Sequence, residues 1–513
     1  MTLRHGYFTG AGYTFGAYSE PSPERLALLS LLRSHRPPDL AAPFRLLELG
    51  CGQGLQLCLQ SANYPQAQCI GIDLQNDHIA HGRALAQACG LNNITFLQAD
   101  VQQLDQAPPQ VWSDLVGHCD IVVAHGVLSW VSPAIGALLL RLAAAALRPG
   151  GLLYVSYNAL PGWLAATPFQ HMVRTFQAHR GEGLPALEAA RALFSALRDG
   201  GAQVFTAQPG LAPRLEGLAG MDPGYLLHEY NHSQWQPLYA NQVIEPCRDL
   251  GLSFLGSAHL ADNFDGILPE PYRRQLQEQS DSALREVVRD LLTNQAFRRD
   301  VYVKGLDPLW PREALARLEQ LQVLRLQSEA ELQEESAFQF RLGFGEIQGN
   351  RDWFLSLMQT LGDQPRSLAD LRQALQGTPL PELLQNLALL IGRGSVALVP
   401  PDRDPGPARR CNTEIVSRVA AGAPYRALAC PRSGNSHTLN DVELLGVQAL
   451  LSGRSQEELV EAIDAGLQAL ERQIQRDGVP LGEEERRREL TAVVDRFRSH
   501  TVPLLQRLGV LQH

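Results

Sequence analysis

Lysine is all but missing from this chain: Lys304 is the single example in 513 residues, so nearly all of the 44 basic side chains are arginine. Acidic residues number 54 and the net charge is −10 at neutral pH. A protein that grips nucleic acid through bulk charge needs a basic surface, and this balance argues against it. Cysteine is sparse. The eight residues fall at 51, 58, 69, 89, 119, 247, 411 and 430, and no two make a CxxC pair. That excludes a disulfide scaffold and argues against a zinc ribbon or a thioredoxin-like motif. Long apolar runs are missing too: the greasiest stretch, Ala134 to Leu147, contains Arg141 and is too short to cross a bilayer. The start, Met1-Thr2-Leu3-Arg4-His5-Gly6, lacks the apolar core of a signal peptide. The expectation is a soluble cytoplasmic protein with no membrane span. Hydrophobic residues make 45% of the chain and charged ones 19%, which excludes wholesale disorder. At ~100–200 residues per domain, the length implies several domains.

The pattern that is present is an alternation. Gly6 to Tyr13 reads as loop, and Glu24 to Arg36 as a short helix stopped by Pro37-Pro38. Short apolar runs at 44–49, 68–72, 94–97, 120–124 and 152–156 then read as buried strands. Helical stretches at 55–62, 77–89 and 135–147 separate most of them. Strands alternating with helices imply parallel pairing and a doubly wound α/β sheet, with its ligand crevice at the carboxyl ends of the strands. Residues 164–224 break the rhythm with helices at 169–178 and 187–197, a helical insertion. Strands at 252–255 and 300–303, with helices at 243–250 and 284–293, bring the sheet to seven strands. From 306 onward the texture is mainly helical. Helices at 368–375 and 381–391 followed by a strand at 395–399 make a winged-helix-like segment, without the arginine excess of a DNA reader. Pro400 to Pro407 reads as a linker, and the charge runs of 440–510, such as Glu483 to Arg488, as a solvated helical face. The expected divisions are 1–163, 164–224, 225–305, 306–400 and 401–513.

The chemistry centres on Leu46-Leu47-Glu48-Leu49-Gly50-Cys51-Gly52-Gln53-Gly54, where three glycines leave a strand and open a helix. Bare backbone there permits a sharp turn and close approach to a ligand. The spacing is G-x-G-x-G, so the pyrophosphate-cradling step of dinucleotide folds is absent. Asp73 closes the second strand 19 residues beyond Gly54, where a carboxylate can accept both hydroxyls of a ribose. Asp100, followed by Val101, ends the third strand in position to accept from an adenine amino group. Glu48, Asp73 and Asp100 surround a ligand that carries positive charge and no phosphate. S-adenosylmethionine (SAM), with its adenosine, ammonium and sulfonium, suits that description.

Two further segments narrow the reading: His125-Gly126-Val127-Leu128-Ser129-Trp130-Val131-Ser132 after the fourth strand, and Val155-Ser156-Tyr157-Asn158-Ala159-Leu160-Pro161-Gly162-Trp163 after the fifth. With Tyr225 to Tyr230 and Phe297 to Gly305, they resemble the class I SAM-dependent methyltransferases that carry a methyltransferase regulatory domain. That group includes bacterial lysine methyltransferases of outer-membrane proteins. The resemblance covers roughly residues 1–305 well and the rest weakly. It implies a Rossmann-like methyltransferase sheet and cofactor contacts from Gly50, Gly52, Asp73 with its neighbour Leu74, Asp100, Val101 and His125, beside Glu48 and Gly54 from the turn. It also implies that His125, Tyr157 and Asn158 face the reaction crevice. Trp130 and Trp163 are candidates to wall an acceptor chain, since aromatic faces favour cations; core packing is the competing reading of both. His125 is a candidate proton relay.

No Asn-Pro-Pro-Tyr-like segment follows the fourth strand and no Pro-Cys nucleophile is present, which points away from nucleic-acid substrates. His228-Glu229-Tyr230-Asn231-His232 matches H-E-x-x-H, but Asn231, Ser233 and Pro237 weaken the helix that such a zinc site needs, and no metal is expected. His78 and His81 read as a solvated helix face. The leading expectation is methyl transfer to protein lysine, with a protein substrate as partner and a homodimer as the assembly. The alternatives are a small-molecule acceptor and a non-catalytic SAM-binding module.

Overall fold

The computed structural model describes residues 3–4, 7–8, 14–181, 183–218, 221, 223–230, 232–476 and 479–512. Most of the Gly6–Tyr13 loop lies outside the described residues; within it, Tyr7–Phe8 pairs antiparallel with Leu3–Arg4.

Seven strands make the central sheet: β1 (Phe44–Leu49), β2 (Ala67–Asp73), β3 (Ile94–Gln98), β4 (Cys119–Ala124), β5 (Leu147–Asn158), β6 (Leu252–Ser257) and β7 (Phe297–Lys304). Their spatial order is β3-β2-β1-β4-β5-β7-β6. The first five pair in parallel, with helices Leu55–Asn63, Asn76–Ala88 and Pro133–Ala146 among the crossovers. β7 departs from the expected parallel pairing: it runs antiparallel to both β5 and β6. Its connector makes an outward and a returning pass, through helix Glu270–Gln277 and helix Ser282–Thr293, so the chain re-enters the sheet from the end at which β6 left it. The strand order reverses between β1 and β4, and that is where an open α/β sheet forms its crevice.

Both sheet faces are covered. Leu46, Ile121, Leu152 and Tyr154 pack on one side, and Leu47, Val122, Leu153, Val155 and Tyr157 on the other, following the two-residue period of a strand. A buried ionic network fastens the antiparallel edge. Arg298 on β7 meets Asp300 at 2.9 Å, Asp290 at 2.6 Å and Glu286 at 3.0 Å. Such a cluster is tolerated in a low-dielectric interior because each charge faces an opposite one.

The insertion forms helices Thr167–Arg180, Leu184–Asp199, Gln203–Ala207, Leu211–Gly217 and Pro223–Tyr230, around a small core of Phe169, Val173, Ala190, Phe194 and Tyr230. Further on, helices Leu368–Ala374 and Leu380–Arg393 precede strand Val396–Val399, which joins a three-stranded antiparallel sheet centred on Gln322–Arg325. The stretch 400–407 is pinned: Arg403 lies over the Tyr64 ring at 3.9 Å and pairs with Glu24 at 2.5 Å. Helix Gly406–Ala420 and the hairpin Ala427–Cys430/Asn435–Thr438 pack against helix Leu55–Asn63. Among the described residues, no helix is long and apolar enough to cross a membrane.

Candidate active site

Two adjoining hollows open at the carboxyl ends of β1, β2 and β4. The larger, about 130 Å³, is lined by Gly50, Gly52, Asp73, Leu74, Asp100, Val101, His125 and Trp130 together with apolar Leu49, Ile72, Val127 and Val131. The smaller, about 40 Å³, shares Gly50, Gly52 and His125 and adds Glu48, Gly54, Phe15 and Tyr18. Every residue that the sequence nominates for the cofactor therefore borders one hollow or both.

The turn between them is built as the glycines demand. Gly50, Gly52 and Gly54 have φ of 77°, 52° and 78°. A Cβ on Gly50 would lie 2.6 Å from Val127 Cγ2, and one on Gly54 would lie 2.7 Å from the Phe96 ring. Gly52 N–H donates to Asp73 Oδ2 at 2.9 Å, while Gln75 N–H donates to Asp73 Oδ1 at 2.9 Å. Asp73 is thus clamped between the glycine turn and the next helix, with a lone pair left on Oδ2. Asp100 caps helix Val101–Gln106 by accepting from Gln102 N–H at 3.0 Å, which fixes the β3 end of the hollow.

Glu48 is the unusual group. It is 5% exposed, and among the described residues its Oε2 has no hydrogen-bond partner. Burial, then the nearby charge of Asp73, pushes its carboxyl up to about 8. A buried acid of this kind lacks a cationic partner, and an amino-acid ammonium supplies one. An orphaned carboxylate, a side-chain-free cradle and two further carboxylates on an apolar wall together fit SAM.

His125 ends β4 amid aromatic rings. Tyr18 stacks on it with centroids 3.9 Å apart, and the Tyr154 ring lies parallel at 5.9 Å. Its Nδ1 contacts Ser156 Oγ at 3.0 Å and Tyr154 Oη at 3.2 Å. Burial, helped by the charge of Arg299 and opposed by Glu20, pushes the imidazole down to about 4. His125 is therefore neutral at pH 7 and too weak a base to hold a proton taken from an ammonium.

Residues 47–153 match a family model described as a methyltransferase domain, and residues 222–304 one described as a predicted methyltransferase regulatory domain. An uncharacterized protein of Synechocystis, sll1526, is 30% identical over 520 residues, spanning 99% of this chain and 100% of that one. The chain belongs to this family of SAM-dependent methyltransferases with a regulatory domain. Trans-aconitate 2-methyltransferase of Methylobacterium nodulans is 39% identical over 116 residues, 23% of this chain and 39% of that protein. PKMT2 from Rickettsia typhi, solved in complex with AdoHcy, shares the fold over 97% of this chain and 99% of its own, with a TM-score of 0.69 and 21% identity.

In this methyltransferase three nominated acceptor-side residues stand away from both hollows. Tyr157 is fully buried and points to the opposite sheet face from Tyr154 and Ser156, its hydroxyl donating to Asp300 Oδ2 at 2.7 Å. Strand alternation is the reason: of neighbours on β5, only alternate side chains reach His125. Asn158 turns instead to the insertion, donating through Nδ2 to Glu229 Oε1 at 2.7 Å. Trp163 sits in the insertion core, 5.4 Å from Trp235 by ring centroids, with the Arg214 guanidinium 3.5 Å from its ring centroid. Trp130 does line the larger hollow, and His232, beyond helix Pro223–Tyr230, tilts against it at 5.6 Å and backs that wall.

The H-E-x-x-H pattern does not lie on one helix. The helix ends at Tyr230 and His232 lies beyond it; Asn231 and the His228 side chain fall outside the described residues. The two histidines assigned to a solvated face are held inside. His78 is buried, its Nδ1 3.2 Å from Asp73 Oδ1. His81 bridges two regions: Nδ1–H donates to the Gln53 carbonyl at 2.6 Å, and Nε2 accepts from Tyr425 Oη at 2.7 Å. The carbonyl can only accept, which fixes this tautomer. Phe15, Tyr18, His81 and Tyr425 escaped the sequence reading because their partners are 28 to 344 positions away or lie in a segment without periodicity.

Proposed function

We propose that this SAM-dependent methyltransferase modifies the ε-amine of lysine on a protein. The observation that carries the reading is the buried, aromatic surround of His125, formed by Tyr18, Tyr154 and, at 6.0 Å, Phe297. Methyl transfer needs a free lone pair, and an unperturbed lysine must give up its proton at a cost of about 4.6 kcal/mol at pH 7. A desolvated slot lowers that cost by disfavouring the ammonium. The motif resemblance after β4 and β5 supports the same reading, and PKMT2 shares the fold over 97% of this chain.

Bound SAM supplies an electrophilic methyl group for in-line displacement. Asp73 would accept from the ribose hydroxyls, Asp100 and Val101 would border the adenine, and Glu48 would receive the ammonium. Gly50 to Gly54 let the backbone approach the amino-acid end. Neutral His125, packed between Tyr18 and Tyr154, shapes the acceptor entrance. Since it titrates near 4, the lysine proton leaves for solvent before the amine is seated, and positioning supplies the rest of the acceleration.

Labelled SAM incubated with the purified protein and bacterial lysate, separated into protein and small-molecule fractions, tests the reading. Label on lysine side chains, mapped by mass spectrometry, is the expected result. Label confined to small molecules, or to another side chain, refutes it.

A further inference from the structure

A third hollow, about 320 Å³, lies beyond the 19–25 segment, between the start of helix Pro23–Leu32, strand Val396–Val399 and the hairpin at 435–438. Its wall includes Ser22, Glu24, Arg25, Arg393, Ser436 and His437. We infer that it binds a small oxyanion, a phosphate- or carboxylate-bearing molecule, through Arg25.

Arg25 is 7% exposed, and among the described residues its guanidinium makes neither a hydrogen bond nor an ion pair. Burial pulls the guanidinium below its ordinary range against the opposing charge of Glu20, so a further anion beside it is favoured. The nearby carboxylates are committed elsewhere. Glu20 pairs with Arg299 at 3.2 Å, and Glu24 with Arg403 at 2.5 Å. One acid therefore stands between two guanidinium groups, leaving the pocket with an excess positive charge.

The remaining wall suits the same ligand. Ser22, the N-cap of a ten-residue helix, lines the hollow and its hydroxyl makes no bond to that helix, so the positive helix end lies beside the cavity. Arg393 also borders the hollow, its guanidinium donating to Ser336 O at 2.7 Å and to Gln339 O at 2.5 Å. His437 is kept neutral by burial and brings no competing charge. A cavity of ~150 Å³ holds benzene, so this one accommodates phosphate or a dicarboxylate with some water. Glu20 links the site to the reaction crevice, because its charge is felt by both Arg25 and His125.

The test is calorimetric titration of the full-length protein with inorganic phosphate and, separately, succinate, against sodium chloride at equal ionic strength. Saturable binding of at least one oxyanion is expected. Arg25→Met should weaken it about 10- to 150-fold, the worth of one charge-assisted hydrogen bond, and Arg25→Lys less. Ser436→Leu, which fills the hollow from the opposite wall, should abolish it while leaving Arg25 in place. If Arg25→Met fails to fold, Ser436→Leu carries the test. Preference for phosphate or succinate identifies the ligand head group. The proposal is overturned if neither anion binds beyond the chloride control, or if binding survives unchanged in the folded variants.

Discussion

Cofactor binding at neutral pH should drive a proton off Glu48. The free protein holds this carboxyl at about 8, so at pH 7 about 0.9 of the molecules carry the proton. An ammonium docking against Oε2 favours the carboxylate, and the proton must leave. Glu48→Gln cannot release one. Calorimetry of AdoHcy binding in two buffers of different ionisation enthalpy reads the stoichiometry directly, and the wild type should release about 0.9 proton more than the variant. Taking the difference cancels any contribution from the ligand's own amine. The variant should also bind about 10- to 150-fold more weakly, having lost a charge-assisted hydrogen bond of ~1.5–3 kcal/mol. The same acid shapes stability without ligand. Its proton is held more tightly in the fold than in the unfolded chain, so stability should fall as pH rises from 4.5 to about 8. The loss is on the order of 5 kcal/mol at most, at ~1.36 kcal/mol per pH unit. Glu48→Gln should flatten that slope. Equal proton release by wild type and variant would refute the assignment of Glu48 to the ammonium.

Gly50→Ala forces a Cβ within 2.6 Å of Val127 Cγ2 at a φ of 77°, so AdoHcy affinity measured by calorimetry should drop at least ~10-fold from strain and overpacking. His125, neutral in the fold down to about 4 but protonated near 6.5 when unfolded, should cost stability as pH falls between those values, by about 3 kcal/mol in all. Its NMR titration, assigned with His125→Gln, should show an inflection near 4, and one near 6.5 would contradict the buried placement. Tyr425→Phe removes the hydroxyl that holds His81, and through it Gln53 of the glycine turn. A two- to tenfold loss of AdoHcy affinity, about one hydrogen bond, is expected with the fold intact by circular dichroism, and an unchanged affinity would make the contact merely structural.

The convergence of the nominated cofactor residues on one crevice was legible because its signals are local. Glu48, the glycines, Asp73 and Asp100 each sit at a strand end, and parallel β-α alternation brings all such ends to one crevice whatever the rest of the chain does. The acceptor side was legible only in part. Tyr157 and Trp163 lie next to the informative motifs in sequence, but strand alternation turns one to the far face and the insertion core absorbs the other. His78 looked solvated although it turns back onto Asp73 at the end of β2, and His81 because its partners belong to the glycine turn and to a region more than 300 residues downstream.

Taken by itself, the order of residues determined the strand–helix rhythm, the seven strands and the carboxylate-ringed glycine turn, since periodicity and the steric freedom of glycine act over a few neighbouring positions. Tertiary structure alone decided that β7 runs backwards, that Glu48 Oε2 has no hydrogen-bond partner among the described residues, and that Tyr18 and Tyr154 flank His125. It also decided that Tyr425 reaches, through His81, the glycine turn and that Arg25 borders a cavity without a hydrogen bond or ion pair among the described residues. Burial and the distance between charges set these properties, and both depend on which distant segments the fold brings into contact.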